Sequence, residues 1–196
     1  TWLSTPTINI SLHVYGYADN ISLLRNDTLI LASLKPNTTT TVELLVGINI
    51  LRIEATGYGD FVSLSIVIGY DPYPPTIRLI SPQNNSVIET EEERVKVNIS
   101  LKIEDLSGVS RVVLIYGNLT AEITTYTTLD IPIGDYYFVI GAYDAAGNYA
   151  SIILHITIKS KKTVGGEILG DTYVFVGAMI LGIAIGTIII RRRRRQ

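Results

Sequence analysis

The chain alternates far more often than it coils. Between Thr1 and Ile158 the apolar positions recur with a period of two. Val95, Val97, Ile99, Leu101 and Ile103 share one face, and Arg94, Lys96, Asn98, Ser100 and Lys102 share the other. That pattern predicts a half-buried antiparallel strand. The same reading predicts strands near 7–15, 21–25, 28–33, 40–46, 48–55 and 61–69, then near 76–80, 86–90, 94–104, 110–116, 119–127, 135–143 and 149–158. Turn residues punctuate them at Lys35-Pro36-Asn37, Gly57-Tyr58-Gly59-Asp60, Ser107-Gly108 and Ala146-Gly147-Asn148. Many short strands with regular turns point to an all-β chain of two antiparallel sandwiches.

The alternation stops at the C-terminus. Tyr173 to Ile190 form a stretch of eighteen uncharged residues, followed directly by Arg191, Arg192, Arg193, Arg194 and Arg195. As a helix the stretch spans roughly 27 Å, close to the hydrocarbon thickness of a bilayer. A buried core helix would not end in five consecutive arginines. The expectation is a single transmembrane helix at 173–190, with a cytoplasmic Arg tail at 191–196 and the N-terminal region outside. Lys159, Lys161 and Lys162 flank the other end, but a long N-terminal region translocates largely regardless of charge. Ala178, Gly182 and Gly186 sit one turn apart and would allow a second copy's helix to approach closely, although glycine is common in membrane helices generally.

Asp71-Pro72-Tyr73-Pro74-Pro75 cannot continue a sheet ladder, so the outer region is split there. The expected organisation is a short sandwich at 1–71, a second at 72–158 and a juxtamembrane linker at 159–172. The halves look related. Gly47-x-Asn49-x-Leu51-x-Ile53-x-Ala55 repeats as Gly134-x-Tyr136-x-Phe138-x-Ile140-x-Ala142, and both halves contain Pro-Thr-Ile, at Pro6 and at Pro75. From that Pro to that Gly is 41 residues in the first half and 59 in the second, so the first is about two strands shorter. Tyr136, two residues before the inward Phe138, has the placement of a tyrosine corner.

These residues carry a resemblance. Ile80-Ser81-Pro82-Gln83-Asn84, Asp105-Leu106-Ser107-Gly108-Val109, and Gly134-Asp135-Tyr136 through Ala142-Tyr143-Asp144-Ala145-Ala146-Gly147-Asn148 make the second half resemble the immunoglobulin-like repeats of prokaryotic, especially archaeal, surface proteins. Val14-x-Gly16-x-Ala18 and Gly47 through Ala55 make the first half similar to the glucodextranase domain-B type of Ig-like repeat, with its closing turn altered to Gly57-Tyr58-Gly59-Asp60. The resemblance implies spacer or adhesive modules and no catalytic residues.

Composition narrows the chemistry. With no Cys and two His, the chain offers no disulfide, no thiolate metal site and no thiol catalysis. No hydrolase elbow, P-loop or dinucleotide fingerprint is present. Asn-x-Ser/Thr sequons stand at Asn9, Asn20, Asn26, Asn37, Asn84, Asn98 and Asn118, seven where composition predicts about two. They are glycosylation candidates, against a Thr- and Asn-rich β surface that makes sequons by composition. Asp105 and Asp144, with Asp135 as a third carboxylate, are candidate calcium ligands, against the commoner turn-forming role of Asp. No other cofactor is expected. The acidic run Glu89-Thr90-Glu91-Glu92-Glu93 reads as a solvated strand edge. Tyr70, Tyr73, Tyr136, Tyr137, Tyr143 and Tyr149 could form a carbohydrate-binding patch or be ordinary strand residues.

Charge closes the reading. Residues 1–172 carry 11 basic and 18 acidic side chains, a balance of −7, and the tail carries +5. The total of −2 hides an acidic exterior and a basic stop. The chain begins with Thr and lacks an N-terminal apolar segment, so it is expected to be processed or a fragment. The expected function is a non-catalytic, membrane-anchored surface module that spaces or anchors something at an archaeal envelope, as the C-terminal stalk of a larger surface protein. Its partners would be membrane lipid, a surface-layer protein, a glycan, or itself through the membrane helix, and no nucleic acid. A carbohydrate- or protein-binding adhesion module is the alternative. The tail also resembles archaeosortase-type sorting signals, without their short recognition motif.

Overall fold

A computed structural model describes residues 1–161 and, as backbone only, 177–179 and 187–192. The described residues form strands and no helix. They are β1 (Trp2–Leu3), β2 (Thr7–Leu12), β3 (Asn20–Arg25), β4 (Thr28–Leu31), β5 (Thr38–Glu43), β6 (Gly47–Gly57), β7 (Asp60–Tyr70), β8 (Thr76–Ser81), β9 (Ser86–Thr90), β10 (Arg94–Glu104), β11 (Val109–Tyr116), β12 (Leu119–Ile123), β13 (Tyr126–Pro132), β14 (Gly134–Asp144) and β15 (Tyr149–Ser160). Residues 177–179 and 187–192 are extended, the latter running parallel to 128–130. The rest of the expected membrane helix at 173–190 lies outside the described residues. So do 162–172 of the expected linker, whose first residues, Lys159 and Ser160, instead finish β15.

The chain divides into two compact units. The first holds 1–75 with 105–109 and 144–148, and the second holds 76–104, 110–143 and 149 onward.

The second unit is a two-sheet sandwich. One sheet runs β12-β11-β14-β15-β9, with β9 parallel to β15, and the other contains β13-β10-β8. This division, with the leading strand shared between sheets, is the immunoglobulin-like arrangement. The alternation in sequence explains the packing. Val97, Ile99 and Leu101 of β10 meet Phe138, Ile140, Leu154 and Ile156 in the core, while Lys96, Asn98 and Lys102 face solvent. Tyr136 is buried, and its hydroxyl donates to the Pro132 carbonyl at 3.0 Å, so the tyrosine corner forms.

One strand was not legible. The alternation predicts one strand at 119–127 and none between it and the strand at 135–143. Instead the chain turns at Thr124-Thr125 and β13 follows. No Gly, Pro or Asn marks that turn. Threonine hydroxyls make it: Thr127 Oγ1 accepts from the Thr124 amide at 3.3 Å and donates to the Thr124 carbonyl at 3.2 Å. Such hydroxyl bonds let the backbone leave the ladder.

The first unit has the same plan with less material. One sheet runs β1-β7-β6-β3-β4, with β1 parallel to β7, and the other pairs β2 with β5. Its core gathers Ile10, Leu23, Val42, Leu44, Leu51 and Ile68. Strand pairing corrects the alignment of the two Pro-Thr-Ile motifs. Thr7 opens β2, which pairs with β5 as β10 pairs with β13. Thr76 opens β8, a strand outside that pair. The shared tripeptide therefore begins different strands, and the strand without a counterpart in the first unit is β8, since β1 runs parallel to β7 as β9 does to β15.

Candidate functional site

Three carboxylates converge within the first unit. Asp71 follows β7 in the proline-rich segment, Asp105 follows β10, and Asp144 ends β14. One oxygen from each lies within 4.8 Å of the other two. Asp71 and Asp144 are buried and Asp105 is half-buried. The loops aim polar hydrogens at them. Asp71 accepts from the Tyr73 and Ser107 amides, both at 3.0 Å. Asp105 accepts from the Ser107 amide at 2.8 Å and its hydroxyl at 2.9 Å. Asp144 accepts from the Asn148 amide and from its side-chain nitrogen, both at 2.7 Å. Asn148 Nδ2 also donates to the Asp71 and Tyr73 carbonyls at 2.9 and 3.1 Å. Gly147, with φ at 94°, supplies the left-handed step that brings Asn148 back over Asp144.

Of the three candidate calcium ligands, Asp135 stands apart from the other two. Asp105 and Asp144 come together, and their third partner is Asp71. Asp135 cannot join, because it opens β14 while Asp144 closes it, some 30 Å away at strand rise. Asp71 was read only as a boundary residue among prolines, which hid its carboxylate. The spacing Asp-x-Ser-Gly could have pointed to Asp105 as a loop former but carried no signal for Asp71.

Asp135 belongs to an exposed cluster on the second unit. It accepts from Thr157 Oγ1 at 2.7 Å and meets His155 Nε2 at 2.7 Å. The Thr157 hydrogen bond, then the His155 one, hold its carboxyl below the ordinary carboxylate value of 3.8. His155 stacks on the exposed Tyr137 ring at 4.2 Å and reaches Asn85 Oδ1 through Nδ1 at 2.9 Å. The proposed tyrosine patch does not assemble as a whole. Tyr136 is buried, and Tyr143 packs with Tyr149 at 4.7 Å, some 20 Å along β14 from Tyr137. Glu89 to Glu92 of the acidic run line a groove with Arg94, Asp130 and Lys161, where Arg94 pairs with Asp130 at 3.1 Å.

All seven sequon asparagines are exposed: Asn9, Asn20, Asn26, Asn37, Asn84, Asn98 and Asn118. Asn98, inside β10, falls on its outer face. Asn49 and Asn148, which lie in no sequon, are the two that are not exposed, the first fully buried. Several sequon side chains accept local hydrogen bonds. Asn26 Oδ1 accepts from the Ile50 amide at 2.8 Å, and Asn84 Oδ1 from the His155 amide at 2.8 Å. Of the membrane-associated candidates, Gly182, Gly186, Arg193, Arg194 and Arg195 lie outside the described residues, and Ala178, Arg191 and Arg192 are described as backbone alone.

No family model matches the chain, and no curated protein sequence matches it. Solved structures do. The chain is similar to the fibronectin(III)-like modules of Clostridium thermocellum CbhA, at 19% identity over 86% of this chain and 93% of that one, with a TM-score of 0.42. It is similar to a 1.5-MDa bacterial ice-binding adhesin, at 16% identity over 80% of this chain and 59% of that one, TM-score 0.41. It is also similar to the Bacteroides ovatus glucan-utilisation protein SGBP-B in complex with a mixed-linkage heptasaccharide, at 12% identity over 81% and 65%, TM-score 0.31. The immunoglobulin-like assignment rests on the strand order and pairing given above.

Proposed function

We propose that this chain is a non-catalytic spacer or anchor at a cell envelope. It is held by the 173–190 segment, with residues 1–172 outside and the Arg tail in the cytoplasm, and it forms the C-terminal stalk of a larger archaeal surface protein. The observation that carries the reading is the sorting of asparagines. Every sequon Asn is at the surface, and the two asparagines that are not exposed, Asn49 and Asn148, lie outside the sequons. A β surface rich in Asn and Thr by chance would not need to keep its sequons off the covered positions. The finer kinship belongs to this proposal too: prokaryotic surface repeats for the second unit and a glucodextranase domain-B type for the first.

Membrane insertion of the full chain, behind a secretory signal in glycosylating microsomes, tests it. The expected outcome is glycan on the 1–172 region, protection of that region from added protease, and an accessible Arg tail. A protected tail, or an unglycosylated and protease-sensitive N-terminal region, overturns the orientation. The coding sequence ahead of Thr1 tests the stalk reading, which expects a surface enzyme or surface-layer domain there. Mass spectrometry of the mature C-terminus separates anchoring from sorting, because an intact Arg tail excludes cleavage.

The donor set suits a hard cation, and calcium is the one proposed. Asp71, Asp105 and Asp144 supply hard carboxylate oxygens, and calcium takes six to eight of them from carboxylates, carbonyls and water. The amide bonds to each Asp equally suit loop formers. Thermal unfolding with and without millimolar calcium separates these roles. Binding raises Tm in the wild type and not in Asp71→Asn, and an unchanged wild-type Tm leaves the three as loop formers.

An adhesion role has its own observation, the exposed Tyr137–His155 stack beside Asp135 and Thr157. An aromatic face flanked by polar groups suits a sugar ring. A glycan array probed with the detergent-solubilised chain, with and without calcium, would show a retained glycan that Tyr137→Ala loses; no retention rules this role out.

A further inference from the structure

β7 is an unguarded strand edge. Its residues 60–67 are exposed on both faces, including Phe61, Val62, Leu64, Ile66 and Val67. One side of the strand pairs with β6 without interruption from Gly47↔Tyr70 to Gly57↔Asp60. The other side meets β1 at Gly69 and Tyr70, with Thr1 beside Ile68, so among the described residues 60–67 have no partner strand there. The amides of Gly69 and Asp71 point away from β6, to the carbonyls of Thr1 and Leu3 at 2.9 Å. With no bulge between, parity carries down the strand, so Phe61, Ser63, Ser65 and Val67 offer their N–H and C=O groups at the open edge. Natural edges are guarded by Lys, Pro or a bulge, and this one has none from Phe61 to Ile68.

We infer that this edge pairs with the same edge of a second copy, antiparallel, about a two-fold axis through Leu64. The segment is its own complement. In that register Phe61 faces Val67, Val62 faces Ile66, Ser63 faces Ser65, and Leu64 faces Leu64. Residues of like character meet on each face. Both members of the Phe61–Val67 and Ser63–Ser65 pairs are outward-bonding residues, so every open N–H and C=O in that stretch finds a partner. Charge selects the direction. Asp60 is the one charge on the edge, and the antiparallel register carries it past Val67 to the end of the pairing, whereas a parallel pair sets it beside its own copy. The two inner faces would join Val62, Leu64 and Ile66 of both copies into one apolar cluster, extending a five-stranded sheet to ten. The contact is distinct from any pairing through the C-terminal segment.

The absence of cysteine makes the register directly readable. Leu64 would oppose itself as a non-hydrogen-bonded pair with Cα atoms about 4.5 Å apart, inside the span a disulfide accepts. Two copies of Val62 would stand four residues out of register, roughly 13 Å apart. The full chain in detergent, carrying Leu64→Cys, should oxidise to a disulfide dimer at least tenfold faster than Val62→Cys. Adding Ser65→Lys to Leu64→Cys should slow it by tenfold or more, since a charge then sits at the edge centre of both copies. Equal rates for Leu64→Cys and Val62→Cys, or no effect of Ser65→Lys, overturn the pairing. Circular dichroism of each variant confirms that the strands remain.

Discussion

Asn49 and Tyr136 stand at the same place in two sandwiches and do the same work with different chemistry. Each is buried on the inner face two residues into its strand, and each reaches back four residues to the chain that enters it. In the second unit the Tyr136 hydroxyl satisfies the Pro132 carbonyl. Proline has no amide hydrogen, so one donor completes the corner. In the first unit the equivalent residue is Leu45, which has both groups. The Asn49 carboxamide meets both: its oxygen accepts from the Leu45 amide at 2.8 Å, and its nitrogen donates to the Leu45 carbonyl at 2.7 Å and the Gly47 carbonyl at 3.1 Å. The lesson is that the corner is defined by the backbone groups needing partners. The residue type follows from how many there are.

The strongest way to break the comparison is through the cores. Phe138 and Leu51 occupy matching positions, both fully buried. Phe138→Ala should cost the second unit about 4 kcal/mol and Leu51→Ala should cost the first about 3 kcal/mol. The chain's single Trp, Trp2, lies in the first unit and stacks over Gly69, so its fluorescence follows that unit alone. Urea unfolding should show Leu51→Ala moving the Trp2 transition. Phe138→Ala should move the far-ultraviolet signal of the second unit instead. The corners come next. Asn49→Leu strands two carbonyls and an amide in the core and should cost about 3 kcal/mol, while Tyr136→Phe strands one carbonyl and should cost about 1.5 kcal/mol. Equal losses would mean that the two corners are not counterparts.

The sequence showed this relation in part. The inner-face register of β6 and β14 was legible because alternation against a packed core leaves no freedom of register. The Thr124-Thr125 turn was not, because side-chain hydroxyls make it without the residues that usually signal one. The Pro-Thr-Ile match misled, since proline begins many strands and three residues do not define a place in a sheet. At the candidate ion site, Asp105 and Asp144 were legible as ends of strands that meet. Asp71 was invisible, because convergence depends on which loops share an end of a sandwich, and Asp135 was misplaced by ignoring the length of β14.

Glycine 69 sharpens the first unit further. The Trp2 ring lies where a Cβ on Gly69 would project. Gly69→Ala should therefore displace the ring and loosen the β1–β7 pair. A loss of about 1.5 kcal/mol is expected, with a red shift of Trp2 emission. The counterpart of Gly69 on the second unit's closing strand is Thr157, and that unit's stability should not change.

The smallest expected effect separates the units by pH. Asp135 is held below its ordinary carboxylate value by hydrogen bonds from Thr157 and then His155. A carboxylate with a lowered folded-state pKa binds protons less readily when folded than when unfolded. Its contribution is therefore complete above the unfolded value near 3.8 and is lost as pH falls through the lower folded value. The matching stretch of β6 has Ile48 in place of Asp135, which does not titrate. Acid titration should thus weaken the second unit through this group and leave the first without a counterpart term. Because the side chain is exposed, the effect is small, and Asp135→Asn is needed to isolate it. The variant should flatten the second unit's stability profile below pH 4 relative to wild type, while the Trp2 transition of the first unit keeps its own pH dependence in both proteins. An unchanged profile in the variant would mean that solvent already screens the Asp135 cluster at the surface.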